Sequence, residues 1–207
     1  VQKFGGTSLA SAEKIHRAAR RAIRAKLDGY QVVLVVSAMG GTTDDLIALA
    51  KQVSSDPPKR ELDMLLTTGE QVSIALMAMA IHSAGHGAIS LTGGQLGLVT
   101  DGVHSRARIQ RISRERIDRE LAAGKIVIAA GFQGIDAGGE ITTLGAARGL
   151  GGPLERNFMD TVATWYCYSP EIWSTWSAME TEGEDPFPAT GTVKPQYDYV
   201  GADVAIR

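Results

Sequence analysis

The sequence contains little of several features that would narrow its class. Of its 207 residues one is a cysteine, Cys167, which excludes an internal disulfide framework and a Cys-x-x-Cys metal site. The formal net charge is −2 and the pI about 6.1, which argues against binding nucleic acid or an anionic membrane by bulk electrostatics. No run of about 18 apolar residues predicts a membrane span. The opening VQKFGGTS lacks a secretion-signal pattern, so we expect a cytoplasmic protein.

Aromatic residues are scarce in the first 145 residues and concentrated in the rest. Residues 146–207 hold all three tryptophans and five of the seven prolines, although they are under a third of the chain. The net charge is +3 over residues 1–145 and −5 over 146–207. We therefore treat the two parts as different kinds of sequence, with a boundary near residue 145.

Strands alternate with helices through residues 1–145. We predict strands over residues 2–4, 31–36, 88–91, 106–109, 125–130 and 140–144. We predict helices over 11–27, from Thr42 or Thr43 to the break at Asp56, over 68–84 and over 114–121. This order favours a mostly parallel sheet with helices on both faces, whose ligands bind at the carboxyl ends of the strands.

The apolar residues of the second and third helices suggest which faces are buried. For the second helix we expect Leu46, Ile47, Leu49, Ala50 and Val53 to face the core. For the third helix we expect an inward stripe of Val72, Ala75, Leu76 and Met79.

Turns rich in Gly, Ser and Thr follow four of the predicted strands. They are Lys3-Phe4-Gly5-Gly6-Thr7-Ser8, residues 37–44, residues 91–95 and residues 131–134. Backbone N–H groups of such turns, together with the helix N-terminus that follows, can bind an anion, and Lys3 places a cation beside the first turn. The pattern suits a polyphosphate but is not a Walker A loop. A tight turn with a surface lysine explains the first turn equally well.

The sequence allows two roles for each of two acids, Glu70 and Asp44. Glu70 falls in the first turn of the predicted helix 68–84, where a carboxylate caps the helix favourably. The alternative is that Glu70 faces the crevice and binds the ammonium group of a substrate. Asp44 presents the same choice. The four histidines show no ligand spacing, so we expect them on the surface or in loops, and no metal site is predicted.

Seven blocks of residues 1–145 together resemble a known family. In chain order they are KFGGTSLAS, VVSAMGGTTDDL, ELDMLLTTGEQVSIALMAMAI, LTGGQLGLVTD, HSRARI, GKIVIAAGFQGID and GEITTLG. Their order and spacing are similar to those of the aspartokinase (aspartate kinase) catalytic domain, within the amino-acid kinase family. The resemblance implies a three-layer α/β/α sandwich. It also implies transfer of the ATP γ-phosphoryl group to the β-carboxylate of L-aspartate, at the start of lysine, threonine and methionine biosynthesis.

The resemblance also implies roles for individual residues. Lys3 would be catalytic, stabilising the transferring phosphoryl group, and Mg²⁺ would bridge the ATP phosphates. The nucleotide-binding positions would be Lys3, Phe4, Gly5, Gly6, Thr7, Ser8 and Ser37. The substrate-binding positions would be Ser37, Thr42, Thr43, Asp44 and Glu70, with Glu70 holding the α-ammonium group of aspartate. A homo-oligomer is possible.

The resemblance stops after residue 145. The family continues with an Arg-Gly-Gly-Ser-Asp-Thr stretch, whereas this chain reads Ala146-Ala147-Arg148-Gly149-Leu150. A reading-frame shift or a chimeric junction explains the change, and a genuinely divergent segment is the alternative. Residues 1–145 are thus interpreted as the substrate-binding part of an amino-acid-kinase-like domain, and 146–207 as a divergent segment. An inactive aspartate-binding module and a truncated fragment remain the alternatives to an active kinase.

Overall fold

The architecture was obtained as a computed structural model, which describes residues 1–144 with their side chains and residues 197–200 and 203–206 as backbone strands. The helices are α1 (Ala12–Leu27), α2 (Thr42–Val53), α3 (Lys59–Ser83) and α4 (Glu115–Ala122), with a 3-10 turn at Gly6–Leu9. The strands are β1 (Gln2–Phe4), β2 (Val33–Val36), β3 (Ala88–Leu91), β4 (Leu98–Thr100), β5 (Ile109–Ile112), β6 (Ile126–Ala130), β7 (Gln133–Ile135), β8 (Ile141–Thr143), β9 (Tyr197–Val200) and β10 (Asp203–Ile206).

A mostly parallel sheet forms the centre of the fold, as the alternation of strands and helices predicts. Strands β3, β6, β2 and β1 lie side by side in parallel. Strand β10 pairs antiparallel with β1, and β9 pairs with β10. The outer edge of β1 is therefore covered by a hairpin from the end of the chain. The rest of the predicted segment 146–207 lies outside the described residues.

Successive residues of the central strands point to opposite faces of this sheet, and each face has its own core. Leu34, Val36, Ile126 and Ile128 pack beneath α1 and α3 on one face. Val33, Val35, Val127 and Ala129 pack on the other face with Ile117 and Leu121 of α4 and with Leu98 and Ile112. The expected three layers are thus present.

A second sheet, which the sequence did not predict as such, lies on the α4 side of the fold. Its strand order is β5-β4-β7-β8. Strands β4 and β7 were not predicted, and the strand expected over 106–109 is found at 109–112, with Ala107 making only an isolated bridge to Leu144. These strands have three or four residues each, too short for an alternating pattern to stand out in the sequence.

The prediction for α2 is only partly right about its buried face: Leu46, Ile47 and Ala50 are half-buried, but Leu49 and Val53 are exposed. No residue of α2 is fully buried, and Leu49 and Val53 are 52% and 84% exposed. The helix packs against α3 rather than against the sheet. A hydropathy pattern does not distinguish a helix at the periphery from one over a core, so the sequence predicted a deeper burial of α2 than the structure shows.

The prediction for α3 is wrong about its beginning and its face. The helix starts at Lys59, not near residue 68, and Val72, Leu76 and Met79 are 51%, 37% and 63% exposed. The inward stripe instead consists of Asp63, Thr67, Glu70, Ile74, Met77 and Ile81, at spacings of three and four residues. Its first half is polar, and for this reason the hydropathy pattern selected the opposite face.

The length and composition of α3 are also sufficient for a membrane span. More than half of that stretch is buried against the rest of the molecule, which is the position of a core helix. Asp63 and Glu70 lie on the buried side.

We expect the central sheet to be sensitive to loss of volume at Ile128, which is completely buried on β6. Ile128→Ala should reduce the free energy of unfolding by about 2–5 kcal/mol, because it removes buried methyl and methylene groups and leaves a cavity. Chemical denaturation measures the change. Val53→Ala is the matched control on an exposed side chain and should change stability by less than about 0.5 kcal/mol. Equal losses in the two variants would contradict the assignment of the core.

Candidate functional site

Two of the glycine-rich turns meet at the carboxyl ends of β1 and β2. The Ser37 N–H donates to the Phe4 carbonyl (3.1 Å), and the Gly40 N–H donates to the Gly6 carbonyl (2.9 Å). Since β1 and β2 are adjacent parallel strands, their turns leave the sheet at the same edge. The structure therefore brings together two of the segments that the sequence analysis placed at a ligand site.

The close approach of these turns depends on the absence of a side chain at Gly6. A Cβ at this position would lie 2.7 Å from the Ala38 carbonyl oxygen and 3.1 Å from that of Gly40. A Cβ at Gly69 of α3 would lie 2.8 Å from the Ala38 Cβ. Ala38 is consequently held between the first turn and α3, and α3 is brought against the same edge of the sheet.

Glu70 lies at this junction, and its environment excludes a first-turn capping role. It is in the middle of α3 and only 3% exposed. Its Oε1 accepts a hydrogen bond from the Ala38 N–H (3.1 Å). Its Oε2 is buried with no hydrogen-bond partner among the residues that the structure describes. A buried acceptor without a partner is unfavourable, so a donor or cation that reached Oε2 would be stabilising.

Burial changes the acidity of this carboxyl. Desolvation raises the pKa of Glu70 from 4.5 to about 7, and the hydrogen bond from Ala38 opposes this shift only in part. The group can thus change charge near neutral pH, and a cation placed against Oε2 would favour its ionised form.

Lys3 is largely buried on β1, with 9% of its surface exposed. Its ammonium nitrogen lies 3.8 Å from the place where a Cβ on Gly5 would be, so the amine lies beside the turn that follows β1. A cation next to the backbone of a glycine-rich turn is an arrangement that favours phosphate binding.

The other predicted site residues differ in their exposure. Thr7 and Asp44 are exposed, whereas the half-buried ones are Ser8, Ser37, Thr42 and Thr43.

Thr42 lies at the start of α2. Its hydroxyl donates to the Met39 carbonyl (2.6 Å), and its methyl carbon packs near Gly69. Helix α2 begins at Thr42, as the sequence predicts, but its N-cap residue is Gly41 and no side chain caps it. Asp44 lies in the first turn of α2, which is favourable for an acid in any case.

A second polar cluster lies next to this site, and the sequence analysis did not predict it. It is centred on Asp63, which is fully buried and bonded to His104, Ser105 and Thr143. His104 lies in a turn, as expected, but is half-buried and paired with Asp63. The spacing of seven residues between Asp63 and Glu70, within the block ELDMLLTTGE, was the available signal, because it places both acids on one face of a helix.

Among residues 1–144, no group of three or more His, Cys, Asp or Glu side chains is arranged to hold a metal ion.

Comparison with known proteins identifies relatives for most of the chain. The sequence profile of the amino acid kinase family matches residues 1–168. The aspartokinase of Bacillus sp. (strain MGA3) is 61% identical over 145 residues, covering 70% of this chain and 35% of that protein. Aspartokinase 2 of Bacillus subtilis (strain 168) is 57% identical over 145 residues, covering 70% of this chain and 36% of its own length. The chain thus spans about a third of the curated relatives it matches.

Solved structures agree with the fold. The aspartate kinase from Synechocystis has a TM-score of 0.58 and 47% identity, covering 70% of this chain and 23% of that one. The E. coli aspartokinase III in complex with aspartate and ADP has a TM-score of 0.60 over 69% of this chain and 42% of that one. At 20% identity the latter supports the fold alone.

The raised pKa of Glu70 predicts how stability changes with pH. Between pH 4.5 and 7 the folded protein binds more protons at this site than the unfolded chain, so stability falls as pH rises and levels off above pH 7. The total change from this group is roughly 3 kcal/mol. Urea unfolding at several pH values measures it. The contribution should disappear in Glu70→Gln, and an identical pH profile in that variant would contradict the assignment.

Proposed function

The chain belongs to the amino acid kinase family, and on that premise we propose that it carries the substrate-binding part of an aspartate kinase. The enzyme would transfer the γ-phosphoryl group of ATP to the β-carboxylate of L-aspartate. An oxygen of that carboxylate attacks phosphorus, the bond from phosphorus to the bridging oxygen breaks, and ADP leaves. The products are aspartyl phosphate and ADP.

The observation that carries this proposal is the unsatisfied oxygen of Glu70. L-Aspartate has two carboxylates and one ammonium group, so a single buried carboxylate can distinguish one end of the molecule from the other. The ammonium group would donate to Oε2, the oxygen that lacks a partner among the described residues, while Oε1 keeps the Ala38 N–H. The β-carboxylate would then be directed away from α3. Ser37, Thr42, Thr43 and Asp44 border the same edge and would bind the rest of the amino acid.

Catalysis in such a site consists mainly of holding two anions together. A carboxylate is already a nucleophile, so no general base is required, and the barrier is lowered by positioning and by neutralising charge. Lys3 would neutralise the phosphoryl group in transfer. The backbone of residues 4–8, at the end of β1, would cradle the phosphates, with Ser37 beside them. This interpretation accounts for the close packing of Gly6 against the second turn and for the position of the Lys3 amine beside Gly5.

Other parts of the proposal follow from the family and the chemistry. Mg²⁺ would arrive with ATP and reduce the negative charge of its phosphates. The enzyme would act in the cytoplasm, at the first step toward lysine, threonine and methionine. A homo-oligomer, the absence of nucleic-acid and membrane partners, and the boundary near residue 145 stay predictions.

Calorimetry with L-aspartate tests the proposal. Only ionised Glu70 can pair with an ammonium group, so the affinity should rise about tenfold between pH 6 and pH 8, following the ionised fraction of a group with a pKa of about 7. Glu70→Gln should bind about 100-fold more weakly and without this pH dependence. An affinity that is independent of pH in the parent chain would contradict the role of Glu70.

Titration with Mg·ATP distinguishes the alternatives. Binding of both aspartate and Mg·ATP supports an active kinase, and binding of aspartate alone supports an inactive aspartate-binding module. A chain that binds neither would be a defective fragment.

Lys3 is expected to act on the phosphates alone. Lys3→Met should weaken Mg·ATP binding at least tenfold and reduce turnover by about 10²–10³-fold, because it removes a positive charge aimed at the phosphoryl group. Aspartate affinity should remain within about twofold. Lys51→Met, on an exposed position of α2, is the control and should behave as the parent. Full Mg·ATP affinity in a folded Lys3→Met protein would show that the assigned role is wrong.

A further inference from the structure

Asp63 is the most completely buried acid of the described residues, and the proposed reaction does not use it. It is 0% exposed and lies on α3 seven residues before Glu70. Seven residues are two turns of an α-helix, so the two carboxylates share one face and lie about 10 Å apart along the axis. A buried carboxylate is unfavourable unless donors surround it.

The Asp63 carboxylate is surrounded by five donors from two other parts of the chain. Oδ1 accepts from the Thr143 hydroxyl (2.6 Å), the Ser105 N–H (3.1 Å) and the Ser105 hydroxyl (3.3 Å). Oδ2 accepts from His104 Nδ1 (2.9 Å), the Ser105 N–H (2.9 Å) and the Thr143 N–H (3.2 Å). Because an ionised carboxylate only accepts, His104 Nδ1 carries the proton in this contact.

These bonds join α3 to the second sheet. Thr143 is the last residue of β8, and its carbonyl accepts from the Ala107 N–H (2.9 Å). Ser105 has a φ of +64°, a left-handed conformation that is unusual for a residue with a side chain. Asp63 accepts from both the N–H and the hydroxyl of Ser105 and thereby holds it in this conformation. Local strain of this kind persists only where surrounding contacts fix it.

Thr67 forms a second polar contact one turn closer to Glu70. Its carbonyl accepts from Gln133 Nε2 (3.2 Å), at the start of β7. Three successive turns of the inner face of α3 therefore have polar contacts: Asp63 to β8, Thr67 to β7, and Glu70 to the turn after β2. Leu66 is the one buried apolar residue of this face before Glu70, and the continuous apolar packing begins after Glu70, at Ile74.

We infer that Asp63 is a positioning residue for Glu70. Apolar packing fixes the distance between a helix and its neighbours, but hydrogen bonds are directional and also fix rotation about the helix axis. A binding group must be held within about 0.5 Å of its working position, and a displacement of 1 Å can cost about 100-fold. The Asp63 contacts set the rotation of α3 and so place the Glu70 carboxylate against Ala38. The consequence for aspartate rests on the proposed function.

The test compares Asp63→Asn with Met77→Ala in the 207-residue chain. Asparagine keeps the size of the side chain but offers one acceptor oxygen and turns an NH₂ group toward other donors. Met77 is fully buried on the same face of α3, beyond Glu70, and serves as a control for lost helix packing. The measurements are aspartate and Mg·ATP affinity by calorimetry and the hydrogen-exchange rate of the Ala38 amide, which donates to Glu70.

We expect Asp63→Asn to weaken aspartate binding at least tenfold, to leave Mg·ATP affinity within about twofold, and to raise the Ala38 exchange rate at least tenfold over that of Met77→Ala. Thr143→Val removes one donor hydroxyl and keeps the carboxylate, so it should cause a smaller change of the same kind, and it serves if Asp63→Asn does not fold. Equal aspartate affinity and equal Ala38 exchange in the Asp63 and Met77 variants would overturn the inference.

The exchange measurement separates this inference from the proposed function. If the parent chain binds no aspartate, the proposed function fails. The Ala38 exchange rate still decides whether Asp63 positions Glu70, because it requires no ligand.

Discussion

The candidate site depends on one contact, the hydrogen bond from the Ala38 N–H to the buried carboxylate of Glu70. It can form because three backbone segments approach closely where side chains are absent, at Gly6, around Ala38 and at Gly69. The contact occupies one carboxylate oxygen and leaves the other without a described partner. Burial at this junction raises the pKa of Glu70 although the Ala38 hydrogen bond opposes the rise, and the oxygen without a described partner can accept from a cation. A larger residue at Gly69 would separate α3 from the turn and remove both properties.

The inner face of α3 has two parts, one that stabilises the fold and one that positions the candidate site. From Ile74 onward it is apolar and packs beneath the central sheet, where burial supplies stability. Before that point it is polar except for Leu66, and hydrogen bonds connect it to β7, β8 and the turn after β2. A satisfied polar interface adds less stability than an apolar one but allows fewer alternative packings. A helix that presents a binding group benefits from this restriction, since the carboxylate must not move.

The edge of β1 shows how the end of the chain affects the same site. Strand β10 pairs with β1 through Gln2 and Lys3, so the strand that carries the lysine has neighbours on both sides. An edge strand without a neighbour exposes N–H and C=O groups that pair readily with other chains. Lys3 therefore lies on an interior strand of the sheet, which restricts its backbone and aims its amine along the turn at Gly5.

Local sequence was sufficient to predict the parallel strands of the central sheet and the turns that follow them. The apolar residues of β2 and β6 predicted buried parallel strands. The Gly- and Thr-rich turns after β1 and β2 lie together at one edge of the sheet, where Glu70 contacts Ala38. These signals are local, because a buried strand needs apolar residues on both faces and a tight turn needs residues without bulky side chains.

Only the tertiary structure decided which face of α3 is buried and that α2 lies at the periphery. Both faces of α3 are apolar beyond residue 72, and the inner one was settled by polar bonds from Asp63 and Thr67 to residues about 40 to 80 positions away in the chain. The raised pKa of Glu70 was also decided by the tertiary structure, because it arises from burial by segments that are distant in the chain. Hydropathy describes whether a side chain favours water or the protein interior, whereas the tertiary fold of the whole chain determines which residues it contacts.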